Sequence, residues 1–287
     1  MPMVLVLSSL VSGSRVGGAV SVSALQARGI DTMHVPTVLL GRHPGWGDPG
    51  GGAIADDLFS GALGGIEANG LFALTDAVLT GYFATPGQVR RAAEAIDAIR
   101  AVQTRTAHNV CAYAPEPVVV VDPIIGDHGR LYVPDAVAEA IRDELVPRAD
   151  LVTPNAFELG WLTGLPVRNA GEALTAAKAL GKPVLASSIE NNDEIGVLYA
   201  DAHGALGITH ERLAKAPHGT GDLLTAGFLA ERLTGAEPKM ALDTAATAIW
   251  DTLLKAREWN AFELPDVSAR LHPVCSDARL AARPVTG

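Results

Sequence analysis

Short apolar runs punctuate the chain at Val4–Leu7, Val78–Leu79, Val118–Val121, Leu151–Val152 and Val184–Leu185. They are continuous rather than alternating, the pattern of strands covered on both faces. Between them, Ala19–Arg28, Val89–Val102, Asp135–Leu145 and Gly171–Leu180 carry alanine and charged residues at helical spacing, several ended by glycine or opened near proline. Strands alternating with helices predict an α/β fold of three layers, α/β/α, with a mostly parallel, doubly wound central sheet. After Val184 the pattern changes: Gly196–Ala200 and Ala205–Thr209 read as a hairpin around Ala202, His203 and Gly204. Two long helices follow, Asp222–Leu233 and Met240–Glu258. Little periodicity remains from Pro265 to Gly287, and the tip is expected to be disordered. No repeat or linker divides the chain, so residues 1–287 are expected to form one domain with a tail beginning near 265.

Composition narrows the partners. A 48% hydrophobic content supplies a substantial core, and the 22 basic and 32 acidic residues leave a net charge of −10 with no basic cluster. A polyanion meets net repulsion, which argues against nucleic acid. An anionic nucleotide is still admitted where backbone N–H groups and a metal ion supply a local positive field. Cys111 and Cys275 have neither a metal-ligand spacing nor a disulfide framework, so a reducing cytoplasm is the expected setting. The apolar run at Met3–Leu7 is too short for a signal-peptide core, and nothing approaches the ~18 apolar residues of a membrane span. A soluble, unprocessed protein with no membrane partner is expected.

Five segments carry candidate chemistry. The glycine-rich Gly41–Gly52, GRHPGWGDPGGG, is expected to be a mobile surface loop. It is either a lid, with His43 and Trp46 as its large contact residues, or a solvated connection. His218, Gly219, Thr220, Gly221 and Asp222 run directly into an apolar helix, so free N–H groups and the helix dipole can converge on an anion there. Asp222 is then either a helix cap or a carboxylate with a task beside phosphates, taking a proton or holding a metal. Asp122, in Asp122–Asp127, ends an apolar strand, where open α/β sheets place ligands; an ordinary turn residue is the other reading. Asn155 and Glu158 share a helical face, which suits metal and phosphate work and equally suits a capping box. Ser187 and Ser188 end a further strand as phosphate donors or turn residues. His34, His108, His128, His203 and His210 have no metal or triad spacing, so surface or loop roles are expected of them.

In this order, from about Val4 to Gly235, these pieces resemble pyridoxal kinases of the ribokinase-like superfamily. Ser9–Gly17 is similar to the family's first-strand loop, in which Ser9 and Val16 match the positions that touch the pyridine ring. Val78–Tyr82 resembles the strand ending in Thr-Gly-Tyr, which gives Tyr82 a place at the substrate pocket. Asp122–Asp127 looks like the Asp-Pro-x-x-Gly-Asp segment near metal and phosphates, and Thr153–Glu158 like the Thr-Pro-Asn-x-x-Glu motif whose Glu supports Mg²⁺. Gly219, Thr220 and Gly221 match the anion hole, Asp222 the catalytic base, and His43 a loop histidine that partly covers substrate.

The resemblance implies a ribokinase-like fold and ATP-dependent phosphorylation of the hydroxymethyl group of pyridoxal. Asp122, Asn155, Glu158, Ser187 and Gly219–Gly221 would face ATP, and Glu158, Asp122 and Asp127 would face Mg²⁺. It further implies a homodimer and admits a monovalent cation. Gly18 stands where the family has Asn, Ser14 where it has Gly, Leu40 where an aromatic is common and Ala186 where Thr is frequent; Pro44 and Trp46 alter the loop after His43. The phosphate motifs therefore match better than the ring pocket. Two other readings share them: a hydroxymethylpyrimidine kinase, and a catalytically weak relative that binds a B6 vitamer or nucleotide.

Overall fold

The computed structural model describes residues 1–106, 116–213, 216–258 and 280–285. The chain opens with β1 (Met3–Val11), α1 (Gly18–Gln26), β2 (Asp31–Leu40) and β3 (Gly51–Ala53), the last antiparallel to β2. α2 (Asp56–Ala68), β4 (Ala77–Thr80), α3 (Pro86–Thr106) and β5 (Val118–Val121) follow. A small separate hairpin, β6 (Gly126–Asp127) and β7 (Arg130–Leu131), precedes α4 (Asp135–Ala140), whose last turn widens into a π-helical segment, Ile141–Leu145. Then come β8 (Leu151–Val152), α5 (Ala156–Thr163), α6 (Ala170–Leu180), β9 (Val184–Asn191), β10 (Glu194–Asp201), β11 (Gly204–Glu211), α7 (Thr220–Leu233), α8 (Pro238–Glu258) and β12 (Arg283–Pro284). One ten-stranded sheet runs in the order β12-β11-β10-β9-β8-β5-β4-β1-β2-β3. Its centre from β2 to β9 is parallel, and both edges are antiparallel.

The continuous apolar runs have a direct cause. Val4 and Val6 pack into one layer with Val20 and Ala24 of α1 and Leu223 and Phe228 of α7. Leu5 and Leu7, one residue out of phase, pack into the opposite layer with Phe59, Leu63 and Ile96. Each such side chain contributes about 1.5–3 kcal/mol on full burial. α1 leads from β1 to its neighbour β2, whereas α2 leads back to β4 on the other side of β1. The winding reverses between β1 and β4, and there open α/β sheets form a ligand crevice at the strands' C-terminal ends.

The predicted three-layer, mostly parallel fold is the one observed. β2, β3, α2 and the β6–β7 hairpin are elements that periodicity did not announce. β2 is half-buried and interrupted by Pro36, which has no N–H for the ladder. The register with β1 slips just there: Ser8 faces Pro36 but Leu10 faces Leu39, so β2 carries an extra residue opposite Ser9. α2 contains Gly61, Gly64 and Gly65, poor helix formers, and buries only Phe59 and Leu63. Within the stretch of low periodicity, Arg283 and Pro284 pair with Gly207 and Leu206; residues 259–279 and the tip at 286–287 lie outside the described residues, as do His108 and both cysteines. Among the described residues no helix is long and apolar enough to cross a membrane.

Candidate active site

Gly17 and Gly219 close the crevice from two remote parts of the chain. Gly17 has φ +57°, and a Cβ there would lie 2.0 Å from Ser9 Oγ, so glycine is required on both counts. Its N–H donates to Asp222 Oδ2 at 2.9 Å. Gly219, φ +92°, precedes α7; a Cβ there would lie 2.6 Å from the Arg15 carbonyl oxygen and 3.2 Å from Val16 Cγ1. The first loop thus rests on the glycine turn. No side chain caps α7, which leaves its first-turn N–H groups at Thr220 and Gly221 for another acceptor. Asp222 is not that cap: it sits inside the helix, with its carboxylate accepting from the Gly17 N–H and from its own. Burial nonetheless pushes the carboxyl up to about 6.

A second carboxylate centre lies where β5 and β8 end. Asn155 and Glu158 form a complete capping box: Asn155 Oδ1 accepts from the Glu158 N–H at 3.0 Å, and Glu158 Oε2 from the Asn155 N–H at 2.9 Å. Glu158 Oε1 also accepts from the N–H groups of Ile125 (2.8 Å) and Gly126 (3.3 Å), while Asn155 Nδ2 donates to Gly126 O at 2.8 Å. The box and the 122–127 turn are one assembly, in which Ile124 is held at the strained φ of +36°. Burial pushes Glu158 up to about 7 against those three N–H donors. Asp122 is raised by burial, then by Asp222 and Glu158, and accepts a long 3.3 Å bond from Thr225 Oγ1. Buried, mutually repelling carboxylates of this kind suit a hard cation. Asp127 lies on the β6–β7 hairpin, half-exposed and accepting from its neighbour His128 N–H, with its charge felt at Glu158 and His218. Among the described residues no three His, Cys, Asp or Glu side chains converge into a ready metal cage.

The acceptor end is made of different material. Ser9, near the end of β1, and Val16, in the loop that follows, are buried, and Tyr82, partly buried, follows β4 with its carbonyl accepting from Thr37 Oγ1 at 2.6 Å. Ser8 Oγ and Thr80 Oγ1 are buried there without a hydrogen-bond partner. The 41–52 loop folds into a turn at Pro44–Trp46, with His43 Nδ1 accepting from the Gly45 N–H at 3.0 Å. The His43 ring stacks on His218 with centroids 4.1 Å apart and planes at 16°, which ties the loop to the residue before the anion-binding turn. Burial and then His218 push His43 down to about 4. Ser187 and Ser188, expected to end a strand, lie inside β9, which bends at Ser188 (φ +58°) and runs on to Asn191; the Ser187 N–H donates to Pro154 O at 2.9 Å beside the capping box.

The sequence profile of the phosphomethylpyrimidine kinase family matches residues 95–265. The chain is 36% identical over 269 residues to a pyridoxine/pyridoxal/pyridoxamine kinase of Bordetella avium, covering 90% of this chain and 86% of that one. It is 32% identical over 285 residues to a pyridoxal kinase of Granulibacter bethesdensis, covering 93% and 94%. The fold superposes on the Leishmania donovani pyridoxal kinase, solved with ADP and ginkgotoxin, with a TM-score of 0.87, 26% identity and full coverage of both chains.

The chain belongs to the pyridoxal kinase family.

Against that family, two residues of this kinase stand out that reading by motif passed over. Tyr132, just past β7, donates its N–H to Ile125 O; its side chain stays half-exposed, and its phenol is pushed up by partial desolvation, then by Glu158, Asp122, Asp222 and Asp127. Its only sequence signal is being a lone aromatic after the Asp122–Asp127 segment. His34, expected at the surface, is instead largely buried on β2, with Nε2 3.2 Å from Ser8 O. Its neighbours come from β1 and α1, so no local spacing exposes it. Asp222, Gly219, Val16, Ser9 and Gly17 are brought together around the first loop and the start of α7, and Asp122, Asn155, Glu158 and Ser187 where β5 and β8 end; Asp122 joins the two groups, within reach of the charges of both Asp222 and Glu158, and Asp127 adds its charge to Glu158 and His218.

Proposed function

We propose that this protein, as one kinase domain, transfers the γ-phosphoryl group of ATP to the 5′-hydroxymethyl group of pyridoxal, forming pyridoxal 5′-phosphate. The observation that carries the reading is the part-buried Asp222 carboxylate, aimed by the Gly17 N–H beside the uncapped start of α7. A carboxyl poised near 6 is ionised at neutral pH and accepts the alcohol proton as the new O–P bond forms, in a transition state that is largely loose. The N–H groups of Gly219, Thr220 and Gly221 take up charge on the moving phosphoryl oxygens. Asp122 and Glu158 would be the residues that hold Mg²⁺ there; backbone N–H groups already occupy both Glu158 oxygens. When bound, Mg²⁺ offsets phosphate charge. Asn155 and Ser187 keep that edge of the crevice in shape for ATP. Ser9, Val16, Tyr82 and His43 enclose the pyridine ring, with the 41–52 loop as lid. The named ligands of the Leishmania donovani kinase, ADP and ginkgotoxin, support a nucleotide beside a ring compound. Homodimer assembly, a cytoplasmic setting and a monovalent cation complete the reading.

A hydroxymethylpyrimidine as acceptor is the second reading, favoured by the family profile across 95–265, which takes in the whole phosphoryl end. For the shared mechanism, Asp222→Asn decides. The amide keeps the shape but takes no proton, so kcat is expected to fall by about 10²- to 10⁴-fold with ATP affinity retained. Near-normal kcat on whichever alcohol the wild type phosphorylates removes Asp222 as base.

A further inference from the structure

Gly18, the first residue of α1, is buried, and the space its missing side chain would fill is already taken. A Cβ built there would lie 2.2 Å from Nε2, 2.5 Å from Cε1 and 3.0 Å from Cδ2 of His34. That ring arrives from β2, where His34 pairs in register with Val6, and its Nε2 lies 3.2 Å from the Ser8 carbonyl oxygen. A carbonyl only accepts, so Nε2 carries the hydrogen; burial, the larger influence, holds the imidazole neutral against the Ser8 bond. The two residues it touches flank the catalytic end. Ser8 adjoins Ser9, whose Oγ fixes Gly17 as glycine, and Gly18 follows Gly17, whose N–H holds Asp222.

We propose that His34 is a positioning residue for phosphoryl transfer: its ring stands in for a side chain at Gly18, fixes the Gly17–Gly18 turn and so keeps the Gly17 N–H on Asp222. Gly18 and His34 are then one unit, the glycine leaving the room that the ring fills. The ring cannot slide aside without leaving Ser8 O, and α1 cannot lift without taking the Gly17 N–H from the carboxylate.

The test is a set of four proteins: wild type, Gly18→Asn, His34→Ala and the double variant, each measured for kcat, KM of ATP, KM of pyridoxal and melting temperature. With His34 present the Asn collides with the ring, and kcat is expected to fall at least about tenfold while KM of ATP stays within roughly twofold. In the double variant, where the imidazole is gone, the Asn enters free space, and kcat is expected to recover to within about threefold of wild type. A folded Gly18→Asn variant with wild-type kcat overturns the proposal, as does a defect that His34→Ala fails to relieve. Should Gly18→Asn alone not fold, the double variant decides: folded and active supports the unit, unfolded or inactive overturns it. The role of His34 rests on Asp222 as base. Activity surviving in Asp222→Asn removes that reading, whereas its loss there together with an unaffected Gly18→Asn removes only the role of His34.

Discussion

The two ends of the crevice are built on different principles. At the phosphoryl end, three polar groups are fixed by backbone at the junction of a strand and a helix, Glu158 by three N–H groups, Asn155 by the capping box and Asp222 by Gly17, while Asp122 takes a long bond from the Thr225 hydroxyl. At the acceptor end, surfaces from remote segments lean on one another: His43 on His218, His34 over Gly18, Ser9 against Gly17. Backbone-fixed groups tolerate little change of residue, whereas leaning surfaces can be exchanged in pairs. Chemistry is therefore expected to be general to one end and substrate choice local to the other.

The sharpest break of that division is Gly219→Ala. The new Cβ would meet the Arg15 carbonyl at 2.6 Å in a backbone with φ +92°, displacing both the anion-binding N–H groups and the first loop. A loss of about 10²- to 10³-fold in kcat is expected for every alcohol accepted, as for other removals of preorganised donors. Steady-state kinetics on two alcohols checks it; a loss confined to one of them contradicts the division.

His43→Ala addresses the other end. A ring stack of this kind is worth about 0.5–1.5 kcal/mol, so KM for pyridoxal should rise roughly two- to tenfold with kcat little altered. An equal fall in kcat for all acceptors would instead place His43 with the phosphoryl machinery.

Glu158→Gln should raise the Mg²⁺ requirement with the fold intact. Setting an amide against backbone N–H groups costs about 1–3 kcal/mol, but removing a buried charge whose carboxyl is pushed up to about 7 returns a similar amount. A lowered melting temperature with an unchanged Mg²⁺ titration would make Glu158 a cap and nothing more.

The smallest effect is on stability. Glu158 and Asp222 are raised from ordinary values of 4.5 and 3.8 to about 7 and about 6. Between those limits the folded state binds more protons than the unfolded, so stability is greatest below pH 4 for these groups and declines as pH rises toward 7. The metal-free melting temperature should fall from pH 5 to pH 8, and Mg²⁺ should restore more of it at pH 8. A flat profile, or equal Mg²⁺ stabilisation at both values, contradicts the buried charges.

The same division explains what the sequence made legible. Gly219–Asp222, Asp122 and Asn155–Glu158 are recognisable because cap, turn and strand end are written in consecutive residues. Whether Glu158 was cap or metal residue was not decidable there, and the answer is that one carboxylate closes the capping box and pins the 122–127 turn as well. The surroundings of His34 and Tyr132 are not legible in the sequence, because the atoms beside them, Ser8 O and Gly18 for the one and Ile125 O for the other, come near only on folding. β2 escaped notice because Pro36 and a half-buried edge replace the apolar run that marked its neighbours.

The ratio of kcat/KM for pyridoxal to that for hydroxymethylpyrimidine tests the account most directly, with both alcohols in one vessel with Mg-ATP and the products resolved by mass spectrometry. A ratio well above one for the wild type is predicted, shrinking in His43→Ala and holding in Gly219→Ala as both rates collapse. A ratio below one, with the phosphorylated pyrimidine as main product, would contradict the assignment of the acceptor.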